Sequence, residues 1–344
     1  MKVLKRSSIA IVLALMASTV FAQTKTDAIK AFNAGYEEAK EGNYEAAISS
    51  YTQALTIGNQ LGPEGEDIVN RAKQQIPAAY WNKAKEVYTQ FASNKTLDNL
   101  EATINSFQDA AEAGEEYGND QVAAAAGGNV LKMIYQKSII LYNNGDMELA
   151  MTAVDRALNR NSNYAAAYYH KAKIVKKMND TDDDGIIDQN VDELLNWYDQ
   201  AIQKGEATNN RDVVDKAREA AHDELLAVGT RQSEEGNIQD AIATLTRAIE
   251  YDDESADVYY RLAEASNKAS NYDKAVEYAT TALDYENGGK TDKAKIYFEL
   301  GYAHQTLGNK SVACDAFTNA LFGSFKSPAE HKMEYELKCD STAR

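Results

Sequence analysis

The stretch NDTDDDGIIDQNVDELL, residues 179–195, sets Asp180, Asp182, Asp183, Asp184 and Asp188 within nine positions. Counted from Asp180, aspartates stand at positions one, three, five and nine, with Gly185 at six and Ile187 at eight. Alternate carboxylates at this spacing can converge on one hard cation. A glycine permits the sharp bend, and an apolar side chain at eight turns inward to anchor the loop. Asp180, Asp182, Asp184 and Asp188 are therefore candidate ligands for one weak Ca2+ site, and no other cofactor is suggested. The opposing reading is a flexible acidic loop with an aspartate capping the next helix, which needs no cation.

Other chemistry is thin. His170, His222, His304 and His331 are scattered without metal-ligand spacing and read as packing or surface residues. DYENGGKT, residues 284–291, imitates the end of a P-loop but carries Asp284 in place of its first glycine and follows no strand, so it reads as a loop. Lys173, Lys176 and Lys177 form a basic cluster, read as a solvated face or as partners of the nearby aspartates. No catalytic residue emerges. Cys314 and Cys339 admit two readings, a disulfide tying down the C-terminal end or two free thiols; spacing alone fixes no geometry, and free thiols are slightly favoured.

These residues must be positioned by helices. The 344 residues are 44% hydrophobic and 26% charged with three prolines, enough apolar material for a sizeable core and too few turn residues for an all-β fold. At the N-terminus Lys2, Lys5 and Arg6 precede an apolar run from Ile9 to Val20 and the small-residue step at Ala22, the pattern of a secretory signal peptide over residues 1–22. The run is too short to span a bilayer, no other segment is apolar enough, and no lipid-anchoring cysteine follows. The expected location is periplasmic or secreted. Cleavage would take the balance from 36 basic against 53 acidic residues to 33 against 53, a net of −20. Such a charge disfavours nucleic acid and anionic membranes as partners.

Internal similarity organises the chain. GYEEAKEGNYEAAISSYTQAL (35–55), SIILYNNGDMELAMTAVDRAL (138–158), GTRQSEEGNIQDAIATLTRAI (229–249), AEASNKASNYDKAVEYATTAL (263–283) and GYAHQTLGNKSVACDAFTNAL (301–321) align without gaps. Each opens on a small residue, runs as an apolar-periodic helix, breaks at Gly or Ser before Asn or Asp, and continues as a second helix with alanine at two fixed points. The break suits a left-handed C-cap followed by an N-cap, and the small residues let two antiparallel helices approach closely.

This pattern resembles the tetratricopeptide repeat (TPR). The resemblance implies an all-α superhelix, an α-solenoid of about seven antiparallel helix pairs over 28–322 with the Asp-rich insert 180–190, closed by a capping helix at 327–338. The proline that often ends the family repeat is absent from every copy. Residues 67–115 and 164–204 read as weaker units, and the array as continuous.

The resemblance further implies a groove lined by first helices, where Phe32, Tyr36, Tyr135, Tyr142, Tyr169, Lys173, Tyr260, Phe298 and Tyr302 would face a partner. The alternative for half of these aromatics is core packing. The asparagines of the family's carboxylate clamp are lacking at the groove positions. The aspartate stretch in turn resembles the first nine positions of an EF-hand-type calcium loop, departing at position twelve, where Val191 replaces the expected acid. Asp192, Glu193 or water would have to complete it, leaving an affinity on the order of 10⁻⁴ M. The functional expectation is an exported scaffold, not an enzyme, that binds a protein or peptide; a helical-repeat envelope enzyme or carbohydrate-binding component is the alternative. A structural envelope component with calcium-dependent rigidity is a third reading. Oligomeric state stays open.

Overall fold

The computed structural model describes residues 23–339, so the expected signal segment 1–22 lies outside the described residues. The helices are α1 Lys25–Glu41, α2 Tyr44–Gln60, α3 Glu66–Ser93, α4 Leu97–Tyr117, α5 Asp120–Asn144, α6 Met147–Arg160 and α7 Ala165–Asn179. They continue as α8 Val191–Ala207, α9 Arg211–Glu234, α10 Ile238–Ala248, α11 Ala256–Lys268, α12 Tyr272–Tyr285, α13 Lys290–Thr306 and α14 Lys310–Asn319. No strand occurs among the described residues, as the all-α reading requires. The chain divides into two compact units, with the boundary inside α5 between Met133 and Ile134.

The joints inside the repeats share one backbone solution. Gly42, Gly145, Gly236 and Gly308 take φ of 85°, 89°, 88° and 82°, and Ser270 takes 61°. In each joint the next amide returns to a carbonyl five residues back, as Asn43 N–H does to Glu38 O at 2.9 Å and Asn271 N–H to Ser266 O at 2.9 Å. This backbone bond satisfies a carbonyl that the helix end would otherwise leave bare. The side chain expected to cap the following helix makes no such bond at Asn43, Asp146, Asn237 or Asn309, and does so only at Asn271. The left-handed residue and its return bond reverse the chain at these joints.

Within the second unit, first helices touch first helices: α7 meets α9, α9 meets α11 and α11 meets α13. They form a continuous wall, with α8, α10, α12 and α14 packed as the second members of each pair. A 3-10 turn at Gly323–Phe325, the short helix α15 Lys326–His331 and a π turn at Lys332–Leu337 close the chain. Ala329 and Met333 bury themselves against Ala313, Phe317 and Ala320. Cys314 and Cys339 are joined by a disulfide with Cα atoms 5.9 Å apart, which corrects the free-thiol reading. The closing segment folds back over α14 and brings the two cysteines within bridging distance, a proximity that a separation of 25 residues does not disclose.

The acidic insert between α7 and α8 is fastened to α9. Ile187, 1% exposed, is buried in the core, and its N–H donates to Glu224 Oε1 at 2.7 Å. The Glu224 side chain is 1% exposed and also pairs with Lys176. Arg231 donates to Ile187 O at 2.5 Å and to Asp188 Oδ1 at 3.2 Å. Removing this buried carboxylate is costly, because the N–H of the buried Ile187 is then left without an acceptor and without water.

Two outcomes are expected. Glu224→Ala, which leaves the buried Ile187 N–H without an acceptor, should lower unfolding stability by about 1–3 kcal/mol in chemical denaturation, whereas Glu224→Gln, which keeps an acceptor for Ile187 N–H, should lose clearly less; equal losses would remove the hydrogen bond from this account. Reduction of the disulfide, which closes a loop worth about 3 kcal/mol, should speed amide exchange in 326–337 roughly tenfold and leave α9 to α12 unchanged. Unchanged protection of 326–337 would mean that the packing of Met333 and Ala329 suffices.

Candidate functional site

The insert brings three of its aspartates together. Asp180, Asp182 and Asp184 each offer a carboxylate oxygen, and these oxygens all lie within 4.8 Å of one another. The bends that allow this fall at Asp183 and Gly185, with φ of 62° and 87°. Asp182 Oδ1 accepts the N–H of Asp184 at 3.3 Å, and Asp184 Oδ1 accepts that of Ile186 at 2.7 Å, so short side-chain turns wind the loop.

Asp188, named as the fourth ligand, stands outside this cluster. Its Oδ2 accepts the Thr181 N–H at 2.8 Å and the Thr181 hydroxyl at 2.5 Å, and its Oδ1 faces Arg231. The Thr181 hydrogen bonds, with help from Arg231, hold its carboxyl below the usual range. The proposed substitutes for position twelve are also committed elsewhere. Asp192 pairs with Arg247 at 2.8 Å, and Glu193 Oε1 lies 3.5 Å from the Trp197 indole nitrogen.

The basic cluster separates into three roles. Lys176 serves the buried Glu224, and Lys177 pairs with Asp183 and lies 4.0 Å from Asp180 Oδ2. Lys173 is exposed, with its ammonium 5.4 Å from the centre of the Tyr142 ring.

The aromatic positions split between surface and core. Tyr36 is 56% exposed. Tyr135, Tyr142, Tyr169, Phe298 and Tyr302 are half-buried. Phe32 is buried in the first unit, its ring 5.2 Å from that of Tyr51 and capped by the Arg71 guanidinium at 4.1 Å, so it packs in the core instead of facing a groove. Phe298 lies between Phe317 and Phe325, and Tyr302 carries the Lys332 ammonium over its ring: the chain's own closing segment covers both. Tyr135 and Tyr142 meet the buried His170 edge-on at 5.7 and 5.5 Å. Burial pushes the Tyr135 hydroxyl up to about 12 and the His170 imidazole down.

Tyr260 is 8% exposed yet borders a cleft of about 620 Å³. Leu226, Ala227 and Thr230 from α9, with Arg261 and Lys295 from α11 and α13, share that wall, and Asp184 and Ile186 of the insert complete it. The Arg261 and Lys295 cations stand 5.2 and 4.9 Å from the Tyr260 ring centre. Burial raises the Tyr260 hydroxyl to about 12. Two smaller clefts flank the insert, of about 400 Å³ beside Asp188 and Arg231 and about 440 Å³ beside Lys173, Lys177 and Asp180. Glu224 and Arg231 are the residues that sequence reading passed over. The available signal was a glutamate between His222 and Leu225, on the stripe that α9 buries.

The comparisons agree with the repeat pattern. Residues 233–309 and 31–58 match family models described as tetratricopeptide repeat. No curated protein matches the chain significantly. Among solved structures, YrrB, described as a TPR protein with an unusual peptide-binding site, is 17% identical over 59% of this chain and 91% of its own, with a TM-score of 0.33. The TPR2AB domain of yeast Sti1 in its pHSP90 complex is 15% identical over 92% of this chain and 97% of its own, TM-score 0.29. A thermophilic TPR protein of Thermus thermophilus is 18% identical over 62% and 98%, TM-score 0.25. At such scores the repeat assignment rests on the family models and on the joints and helix pairs described above. With one match in α1 and α2 and the other running from the end of α9 into α13, the chain carries tetratricopeptide repeats in both of its compact units.

Proposed function

We propose that this chain is an exported interaction scaffold that binds a partner protein or extended peptide along the wall formed by α7, α9, α11 and α13. The observation that carries the reading is the 620 Å³ cleft on that wall. Its apolar side chains, Leu226 and Ala227, sit beside the ring of Tyr260 and the cations Arg261 and Lys295. Asp184, Asp223, Glu234 and Asp257 also line it, and Lys295 pairs with Asp257 at 2.6 Å and Arg261 with Glu264 at 2.9 Å, so the cleft suits a peptide whose side chains need apolar contact and whose N–H and basic groups need acceptors. The described residues hold no helix long and apolar enough to cross a membrane.

The reading is tested by capture from an envelope extract with the wild-type chain and with Thr230→Arg, which places a long cation in the cleft. A discrete partner should be retained by the wild type and weakened roughly tenfold or more by Thr230→Arg, with helicity and Tm unchanged. Equal retention by both would take the cleft out of the proposal. Turnover of an envelope polysaccharide by the pure protein would favour the enzymatic alternative.

A further inference from the structure

The geometry points to a divalent-cation site of the calcium class built by Asp180, Asp182 and Asp184. The three oxygens within 4.8 Å fit a single centre, since two oxygens bound on opposite sides of a calcium at about 2.4 Å are separated by about that distance. A cluster of acids is by itself an ordinary surface feature. The independent observation here is Asp180, whose side chain is 4% exposed. Its Oδ2 accepts the Gly185 N–H at 3.2 Å, whereas its Oδ1 is sealed from solvent and accepts no hydrogen bond.

A buried, unpartnered carboxylate oxygen is expensive to keep. The neighbouring cations do not satisfy it. Lys177 comes no nearer to Asp180 than 4.0 Å, at Oδ2, and makes its close pair with Asp183. Lys176 is taken by Glu224, and Arg231 reaches Asp184 Oδ2 only at 3.7 Å while serving Asp188 and Ile187 O. A hard cation supplies what Asp180 lacks and removes the mutual repulsion of three carboxylates. Calcium suits the site because it tolerates irregular shells of six to eight oxygens, so water can complete a set of three carboxylates. The same incompleteness makes the site weak, because Asp188 is held by Thr181 and Arg231 and the converging group is limited to Asp180, Asp182 and Asp184.

The inference stands apart from the scaffold reading and is tested without a partner. Calcium chloride is titrated calorimetrically into the chelator-treated full chain, with Tm followed in parallel. One site should appear with a dissociation constant on the order of 10⁻⁴ M, and millimolar calcium should raise Tm. Asp182→Asn with Asp184→Asn preserves side-chain volume and turn acceptors, and should abolish both effects with helicity intact; Asp146→Asn, at a distant joint, should change neither. Terbium should report the same site through energy transfer from Tyr142, which lines the cleft beside Asp180, and calcium should displace it. No heat and no change of Tm at millimolar calcium would overturn the inference. Binding that survives the double substitution would do so equally, since it would mark diffuse attraction to an acidic protein.

Discussion

Close approach of paired helices at one small residue is the constraint on which the repeats depend. A side chain added at Gly35 would place its Cβ 2.8 Å from the Tyr51 ring, one at Gly229 would meet Leu245 at 2.7 Å, and one at Gly301 would meet Phe317 at 2.9 Å. In these three copies the large partner stands sixteen positions after the glycine, at the matching point of the second helix; the copy that opens on Ala263 has Ala279 there. The approach lets a fully buried Tyr51 or Phe317 fill the space between helices, and the dense interior leaves no room for even a methyl group. Where the opening residue is Ser138, its hydroxyl donates to Ala150 O of the paired helix at 2.7 Å, so the polar atom is satisfied within the same contact.

That constraint explains why the repeat was legible. A register of small residues, a break at Gly-Asn or Ser-Asn and alanines at fixed points are local statements, and each is dictated by a contact inside one helix pair. The groove was less legible because face and core use the same residue types at the same helical spacing. Tyr36 and Phe32 occupy one helix a single turn apart, and the first is exposed while the second is buried. Phe298 and Tyr302 pack against the cluster of Phe317, Ala329 and Met333, which includes the closing segment, a packing that no periodicity within α13 encodes. The disulfide was illegible for the same reason.

The insert shows both limits at once. Its winding follows from short-range chemistry, aspartates accepting amides two residues on, and the inward turn of Ile187 follows from its apolar character. Its fastening depends on residues 37 and 44 positions away, Glu224 and Arg231, which appear in the sequence only as charges on α9. A glutamate on a buried stripe is the one anomaly that could have raised the question.

The two halves of the insert are therefore held by different means. From Ile187 onward the loop is gripped by Glu224, Arg231 and the apolar core, and this half needs nothing from solution. From Asp180 to Asp184 the loop is held by its own side-chain turns, by Lys177 and by the bonds of Thr181 to Asp188, and it gathers three carboxylates, one of which, Asp180, has a buried oxygen without a donor. Asp184 and Ile186 lie between these halves and also border the cleft lined by Tyr260. Whatever sets the acidic half thus sets one wall of that cleft. Two contacts join the halves: Thr181 donates its N–H and hydroxyl to Asp188, and the Arg231 guanidinium that secures Ile187 and Asp188 also faces Asp184 across 3.7 Å.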